Sequence, residues 1–599
     1  MAPCHIVARF FCGSAILGLL AGCAGIRTSV VKKPSHSASF GTMSPNMSVD
    51  YLAIGSRALL AAVEPLLMHR ERSGLRVKRL ILEDIVPLSD VTEDATAPIL
   101  AAIRSVATRS GPSLRFVLLV GDAPGYNETD PERQLLPTFY RRKIQYWDDD
   151  PFERERPDLR DIREKRRHRF ADTEYATDWP YALAHVDAPG QSAFTAKANP
   201  KPLAVGRIPA RKPDEAAAFA HKVVRYETAK SEGLWRRSMT IFTGPANFGP
   251  IADFMIENTM TRTLDEKVPY DWDVDVIFPK LGSPWAYPFP DLQDKLVSRL
   301  DAGTLIAGYV GHGAPTHFDD VHYNYNYYQI GSTWDLERLR IGAGKPFFIA
   351  LTCSNGFFDM RERIQSIAEV LVLNPGGAIA AFAASRVSHP YPNALYGDAL
   401  VQTFVEEHAP TVGEGVVTAK ERMRQAELPL APLLFDSDPA QLTEEHVGLY
   451  NLFGDPATIL QYPTNARMTL EPQRNSYSPN SSVDVAAEMK EIRTGNAFLT
   501  IETKRSVVRA NAPSAFLLQQ MPEEEMWTTV RDTYEAASNK VVLRVDGIVV
   551  DGFARFQVKL PQIPGDYVAK IFMTGNGNTS TGHIKLKVVS SEHSDKKSN

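Results

Sequence analysis

Short apolar runs alternate with segments of helical periodicity from Tyr51 onward. Tyr51 to Ile54 is a strand-like run, residues 58–72 have helical spacing, and residues 77–82 are again strand-like. A second helical segment, 97–108, leads into residues 115–122, a continuous apolar run of the kind that is buried on both faces of a parallel sheet. This order of elements predicts βαβ units and therefore an α/β fold.

A second alternating unit begins near Met239. The predicted elements of this unit are strands 238–243 and 274–278 and helices 251–264 and 292–301.

Two further apolar runs end abruptly in polar, glycine-containing loops. Residues 304–310 lead into His312 and Gly313, and residues 346–351 lead into Cys353. In open α/β sheets, ligands bind at the carboxyl ends of the strands. If the two runs are neighbouring parallel strands, His312 and Cys353 emerge at the same edge.

Cys353 is a candidate nucleophile because the other three cysteines lie within the first 23 residues. A thiol with an ordinary pKa of about 8.5 is mostly protonated at neutral pH, and an adjacent imidazole raises the thiolate fraction. The amides of Gly313 and Cys353 are suited to form an oxyanion hole. The pattern alone leaves two alternatives open, a buried core thiol for Cys353 and a structural loop histidine for His312.

The N-terminus has the pattern of an export signal. Residues 10–20 are apolar, and Leu20 to Cys23 resembles the lipobox cut by lipoprotein signal peptidase. We predict a lipoprotein signal peptide over 1–23, lipidation at Cys23, and a flexible spacer over 24–46. The membrane is then a partner through the anchor at Cys23, in the cell envelope, and in the outer membrane if the source is Gram-negative. An ordinary secretory signal is the alternative.

The net charge and the hydropathy pattern argue against nucleic-acid binding and against a transmembrane helix. A formal net charge of −5 gives no basic footprint for nucleic acid. No second apolar run is long enough to span a bilayer, so we expect one tether and no transmembrane helix. The charge-dense stretch 141–169 is predicted to be a solvated insertion rather than an ion site or a processing loop.

The pattern changes after residue 465. Short alternating runs separated by turn residues are typical of a β-sandwich. We predict such a domain over 466–592, followed by a polar tail over 593–599.

Several motifs, in one order, resemble the gingipain-type cysteine peptidases, which form peptidase family C25 of the caspase-like clan. The resemblance runs from about Tyr51 to Tyr462. The sequence segments that carry it are Gly74–Val77, Val117–Asp122, Ala204–Pro209, Lys222–Glu227, Gly308–Gly313, Cys353–Gly356, Ser366–Val370, Gly376–Ala380 and Phe453–Pro456.

The resemblance implies two α/β subdomains, 47–235 and 236–465, of which the second is caspase-like with a parallel sheet, followed by an immunoglobulin-like domain. It implies that Cys353 is the nucleophile, that His312 is the general base and acid, and that the Gly313 and Cys353 amides are the oxyanion donors. The implied substrate is a protein or peptide. No cofactor is implied, although structural Ca²⁺ occurs in some relatives.

The resemblance also suggests a substrate pocket, with departures. Ser385 opens the loop 385–391, in which Tyr391 falls where arginine-specific gingipains carry an aromatic platform; simple packing is the alternative for a loop tyrosine. Glu215 is an uncertain counterpart of the acidic residue that recognises arginine, and a favourable first-turn helix charge explains it more simply. The acidic residue that assists the catalytic histidine in gingipains is absent, because residues 201–203 are Lys-Pro-Leu.

The segment between His312 and Cys353 is rich in histidine, aspartate and tyrosine. Zinc binding by these residues is one hypothesis, although no helical HExxH spacing is present and we predict no metal site. A substrate-facing loop above the dyad is favoured. The residues concerned are His317, Asp319, Asp320, His322 and the run 323–328.

Together these patterns predict a membrane-tethered, extracytoplasmic cysteine endopeptidase. A transpeptidase arises from the same site if an amine replaces water. A non-catalytic surface lipoprotein of the same fold is the second hypothesis, and carbohydrate adhesion is a third that rests on composition alone.

Overall fold

Ten strands form one large sheet that organises the α/β region. The computed structural model describes residues 48–86, 95–124, 135–144, 173–185, 201–245, 264, 266–360, 364–426 and 438–590. Before residue 236 its strands and longer helices are β1 (Tyr51–Gly55), α1 (Arg57–Ala62), α2 (Glu64–Arg72), β2 (Val77–Ile81), α3 (Thr96–Ser110), β3 (Phe116–Val120), β4 (Phe139–Arg142), β5 (Glu174–Thr177), α4 (Trp179–Ala182), β6 (Ala204–Ile208) and α5 (Pro213–Thr228).

The second group of elements completes the sheet. They are β7 (Ser238–Thr243), β8 (Asp273–Ile277), α6 (Leu292–Asp301), β9 (Ile306–Val310), β10 (Asp320–Tyr323), β11 (Asn326–Gln329), α7 (Thr333–Glu337), β12 (Phe347–Leu351), α8 (Ile367–Leu373), β13 (Ala380–Ala384), α9 (Pro390–Val401), α10 (Val412–Gln425), α11 (Pro439–Leu449) and β14 (Tyr450–Phe453).

The strand order is β2-β1-β3-β6-β14-β13-β12-β9-β7-β8. Neighbours are parallel except β13 and β14, which pair antiparallel. The strands from β2 to β14 therefore run opposite to those from β13 to β8. The predicted α/β architecture is confirmed, with both predicted groups of strands in one continuous sheet.

The local pattern accounts for most elements, with one visible correction. The helix predicted over 58–72 is two helices, α1 and α2, which meet at Val63. Pro65 in the first turn of α2 explains the break, because proline lacks an N–H and its ring clashes with the carbonyl four residues earlier. The strand over 238–243 and the helix over 292–301 have the predicted bounds.

Arg207 on β6 helps to join the first group of elements to β14 of the second group. Its side chain is fully buried. The guanidinium binds both carboxylate oxygens of Asp178 at 2.7 Å and donates to the carbonyls of Gly121, Leu136 and Pro137. The amide of Asp178 in turn donates to Asn451 Oδ1 on β14 at 2.9 Å, so one ion pair ties β6, two loops and β14 together.

The C-terminal region is a β domain with one helical insertion. Its eight strands follow the order β15-β22-β21-β18-β19-β20-β17-β16. Its elements are β15 (Thr464–Asn465), β16 (Arg467–Glu471), β17 (Ser482–Glu488), β18 (Thr494–Thr503), α12 (Ala515–Leu518), α13 (Glu523–Ser538), β19 (Val541–Val550), β20 (Phe553–Lys559), β21 (Gly565–Gly575) and β22 (Asn578–Val588).

The two halves of this β domain are joined where Val550 of β19 pairs with Phe553 of β20 and by a bridge between Tyr477 and Val588 of β22. One apolar core contains residues from both halves, including Val485 on β17 and Ile571 on β21. The helix α13 was not predicted. Its buried residues, Met526, Trp527, Val530, Tyr534 and Ala537, have helical spacing that is visible in the sequence.

Several predictions lie outside the described residues: the signal peptide, Cys23, the spacer 24–46, nearly all of the insertion 141–169, the helix 251–264 except Leu264, and the tail 593–599. Within the described parts of the chain, no helix is both long and apolar enough to cross a membrane.

Replacing Arg207 with alanine is expected to lower the free energy of unfolding by about 3–5 kcal/mol, because it leaves the Asp178 carboxylate buried and unpaired. Arg207→Lys recovers only part of this loss, since an ammonium cannot form the two-pronged pair. Urea denaturation measures both changes. The control is Arg544→Ala in an exposed ion pair with Asp546, for which we expect no more than about 1 kcal/mol. Equal losses at the two positions would contradict the role given to Arg207.

Candidate active site

His312 and Cys353 follow two neighbouring parallel strands. β9 pairs with β12 in parallel, with Val310 opposite Leu351. His312 is two residues beyond the end of β9 and Cys353 is two residues beyond the end of β12. The pairing confirms that the two apolar runs are adjacent, and it brings the two side chains to one edge of the sheet.

The Cys353 thiol is held by the loop that follows β13. The residue is half-buried, and Sγ lies 3.6 Å from the carbonyl oxygen of Ser388 and accepts from the Ser388 amide at 3.4 Å. Burial raises the pKa of the thiol above its usual value, although hydrogen bonds from Ser388 and the charge of Lys143 oppose the increase. Burial therefore disfavours the thiolate form of Cys353.

Two further side chains form a hydrogen-bond network with Ser388. Asn393 Nδ2 donates to Ser388 Oγ at 2.8 Å, and the Tyr450 hydroxyl donates to Asn393 Oδ1 at 2.7 Å. These residues, together with Lys143, were not singled out from the sequence as part of the site. They come from β14, α9 and the end of β4, and no local pattern connects elements that far apart.

The amides of Gly313 and Cys353 are available to an external oxygen. The bridge between Gly313 and Phe318 is antiparallel, with its hydrogen bond from Ala314 N to His317 O, so the Gly313 amide is directed away from Phe318. Among the residues that the structure describes, no acceptor engages either amide. A Cβ at position 313 would lie 2.5 Å from Thr352 Oγ1, so only glycine permits this close approach.

Asn355 locks the histidine loop onto the cysteine loop. Its side chain is fully buried, and Nδ2 donates to the carbonyl of Ala314 at 2.6 Å and to that of His317 at 3.4 Å. The amide of Ser354 donates to the Arg386 carbonyl at 3.0 Å. Both loops that carry the candidate catalytic residues are therefore fixed by hydrogen bonds.

The hairpin after His312 turns back toward it. The Tyr309 hydroxyl donates to the His312 carbonyl at 2.8 Å and accepts from the Asp319 amide at 3.1 Å. The Tyr309 ring stacks on Phe318 with centroids 4.2 Å apart. These contacts tie the segment 312–319 to Tyr309 near the end of β9.

The predicted substrate residues have structural partners. Ser385 is fully buried and its hydroxyl donates to the carbonyl of Ala176. Tyr391 is 4% exposed, at the start of α9. Glu215 Oε2 accepts from the amide of Arg211 at 2.7 Å, as a first-turn cap of α5. In this conformation, these contacts leave little of Ser385 or Tyr391 open to a ligand.

The segment considered for zinc forms a hairpin of β10 and β11. Within the described part of the chain, no group of three or more His, Cys, Asp or Glu side chains has the arrangement of a metal site. Tyr325 and Tyr327 on the hairpin are exposed, whereas Tyr323 packs on Trp527 of α13 with ring centroids 5.4 Å apart. The hairpin is thus braced on the C-terminal domain and presents aromatic rings to solvent.

Replacing Asn355 with alanine is expected to reduce the free energy of unfolding by about 1–3 kcal/mol, because the buried amide that joins the two loops is lost and the Ala314 carbonyl loses its side-chain donor. Urea denaturation tests this, with the exposed residue Asn326 as control position for the same substitution. Loss of the same size in Asn326→Ala would mean that the loop contact is not the cause.

Alkylation of Cys353 by iodoacetamide is expected to reach half its maximal rate above about pH 8.5, the ordinary pKa of a thiol, because burial disfavours the thiolate. Mass spectrometry of the Cys353 peptide from the full chain follows the reaction. A midpoint near pH 7 would instead indicate a thiolate–imidazolium pair in the resting protein.

Comparison with known proteins identifies the family of this chain. The family model described as peptidase family C25 matches residues 44–461, which is more than half of the chain. A search of curated proteins found no match.

Two solved structures of gingipains are similar to this chain at low sequence identity. The crystal structure of the Arg-specific cysteine proteinase gingipain R (RgpB) is 17% identical, with 91% of this chain and 100% of that chain covered and a TM-score of 0.48. The complex of Porphyromonas gingivalis RgpB pro- and mature domains is 17% identical, with 90% and 100% covered and a TM-score of 0.46. The family match over residues 44–461 shows that the chain belongs to peptidase family C25, the gingipain-type cysteine endopeptidases.

Proposed function

We propose that this chain cleaves proteins or peptides by acyl transfer, with Cys353 as the nucleophile and His312 as the general base and acid. The observation that carries the proposal is the parallel pairing of β9 with β12, after which both side chains emerge at one edge. An imidazole and a thiol at such an edge are the groups that covalent peptide hydrolysis requires.

The reaction follows from these two groups. Cys353 Sγ attacks the peptide carbonyl carbon, and the thiol proton passes to the His312 imidazole. The carbon–nitrogen bond then breaks, and the imidazolium returns the proton to the leaving amine. Water, deprotonated by His312, attacks the resulting thioester and releases the acid and the free thiol.

The state of the thiol supports proton transfer during attack rather than before it. Burial raises the pKa of Cys353, and its contacts in the resting protein are with Ser388. The amides of Gly313 and Cys353 would hold the oxygen of the tetrahedral intermediate. Such preorganised donors act only as negative charge develops, so they favour the transition state over the substrate.

An amine that displaces water in the second half of the reaction makes the same site a transpeptidase. A non-catalytic protein that uses the fold for binding is the alternative of another class, favoured by the absence of a carboxylate at residues 201–203. Both are outcomes of the activity test below.

We further propose that the protein is exported and anchored through a lipid on Cys23, extracytoplasmic, and in the outer membrane if the source is Gram-negative. The lipobox Leu20 to Cys23 supports this location. We also propose an immunoglobulin-like topology for the C-terminal domain, supported by the apolar core that its two halves share. No cofactor is required by the proposed chemistry, and a structural Ca²⁺ ion is compatible with it.

Cleavage of a fluorogenic peptide library with varied P1 residues tests the activity. We expect Cys353→Ala and His312→Ala to reduce kcat/KM by at least about 10²-fold, since a general base alone contributes about 10²–10⁴-fold. The control His221→Ala changes an exposed histidine on α5 and should retain activity. Product formation with an added amine would identify a transpeptidase, and inactivity of a folded wild-type protein in every assay would favour the binding protein.

Lipidation is tested by labelling with a fatty-acid analogue in cells. We expect incorporation into the wild-type chain, its loss in Cys23→Ala, and accumulation of an unprocessed form with globomycin. Unchanged processing of Cys23→Ala would indicate an ordinary secretory signal instead.

A further inference from the structure

One oxygen of the Asp319 carboxylate has no hydrogen-bond partner, although it is buried. Oδ1 accepts from the Asp320 amide at 2.9 Å. Oδ2 is enclosed and makes no hydrogen bond among the described residues. Buried polar atoms are nearly always hydrogen-bonded, so an exception calls for an explanation in terms of function or an unseen partner.

The backbone places Asp319 opposite His312. The antiparallel bridge pairs Gly313 with Phe318, and its hydrogen bond joins Ala314 N to His317 O. In this register the next pair outward is His312 with Asp319. Directly opposed residues of an antiparallel pair project to the same face with Cβ atoms about 4.5–5.5 Å apart.

The hydroxyl of Tyr309 contacts the backbone of both residues of this pair. Its hydroxyl bonds to the carbonyl of His312 and to the amide of Asp319. A Cβ at Gly244 on the adjacent chain segment would lie 3.1 Å from both the Tyr309 hydroxyl and Asp319 Oδ2. The carboxylate oxygen therefore lies beside the phenol that fixes the histidine backbone.

The charges of the two residues act on each other. Burial raises the pKa of Asp319, and the positive charge of His312 is the largest opposing influence. Asp320 raises this pKa and His322 lowers it, while Tyr309 and Cys353 are the other titratable groups of the cluster. At the position where a carboxylate was expected from the resemblance, Lys201 is exposed and its charge acts on Glu421.

We propose that Asp319 is the residue that positions His312, with its free carboxylate oxygen accepting a hydrogen bond from the imidazole and stabilising the imidazolium form. This inference rests on the proposed role of His312 as general base. Asp319 takes no proton and forms no bond to substrate. It supplies from the hairpin side the carboxylate that residues 201–203 do not provide.

The test compares Asp319→Asn with Asp319→Glu and with the control Asp320→Asn, all in the full chain. The first readout is the pH dependence of His312 carbethoxylation by diethylpyrocarbonate, followed by mass spectrometry of the His312 peptide. Loss of the carboxylate disfavours the imidazolium, so the midpoint in Asp319→Asn should move to lower pH by about one unit. Asp319→Glu should stay within a few tenths of a unit of wild type, and Asp320→Asn should shift less than Asp319→Asn.

The second readout is the pH profile of kcat/KM. The acidic limb reports the ionisation of the general base, so in Asp319→Asn it should move to lower pH together with the carbethoxylation midpoint. We expect kcat to fall at least about tenfold with little change in KM, because Asp319 acts on the base and makes no contact with substrate. A merely structural role would lower activity without moving either profile.

Circular dichroism and the melting temperature establish whether each variant is folded. If Asp319→Asn does not fold, Asp319→Ser is the second variant that removes the charge. An unchanged carbethoxylation midpoint in a folded charge-removing variant would overturn the inference. Because carbethoxylation needs no substrate, an inactive wild-type protein would refute the proposed peptidase function while leaving this readout intact.

Discussion

The buried pair of Arg207 and Asp178 is the interaction on which the sheet depends. A cation without solvent is tolerated only when charge and hydrogen bonds compensate its desolvation, and here a carboxylate and three carbonyls do so. The pair lies where β6 meets β14, one strand away from the reversal of strand direction between β14 and β13. The backbones approach closely there, since a Cβ at Gly206 would lie 2.4 Å from the Gly454 carbonyl.

Arg207 also contacts the segment that follows Cys353. The Arg207 guanidinium lies 5.3 Å from the centre of the Phe358 ring, five residues after Cys353, and Phe358 packs edge-on against Phe453 of β14. The cysteine loop is also held by Asn355 and by the ion pair of Arg386 with Asp359. These contacts fix the two loops on either side of the thiol, as the proposed acyl transfer requires of a positioned nucleophile.

Sequence periodicity was sufficient for the α/β elements because each buried strand is a continuous apolar run, as in β3, β9 and β12. The interpretation missed two local signals and the tertiary contacts around the thiol. Proline split the helix at 58–72, and α13 lies between strands of a domain whose alternating pattern dominated the interpretation. The side chains that support the thiol, Ser388, Asn393 and Tyr450, are polar residues without any local signature.

The sequence by itself determined the family, the α/β class and the candidate pair Cys353 and His312, because apolar periodicity and ordered motifs are local properties of the chain. The tertiary structure alone decided which groups surround that pair. The strand register brings Ser388 to the thiol, and the short bridge of Gly313 with Phe318 sets Asp319 opposite His312. Such contacts depend on burial and on pairing between distant segments, so no pattern within one segment encodes them.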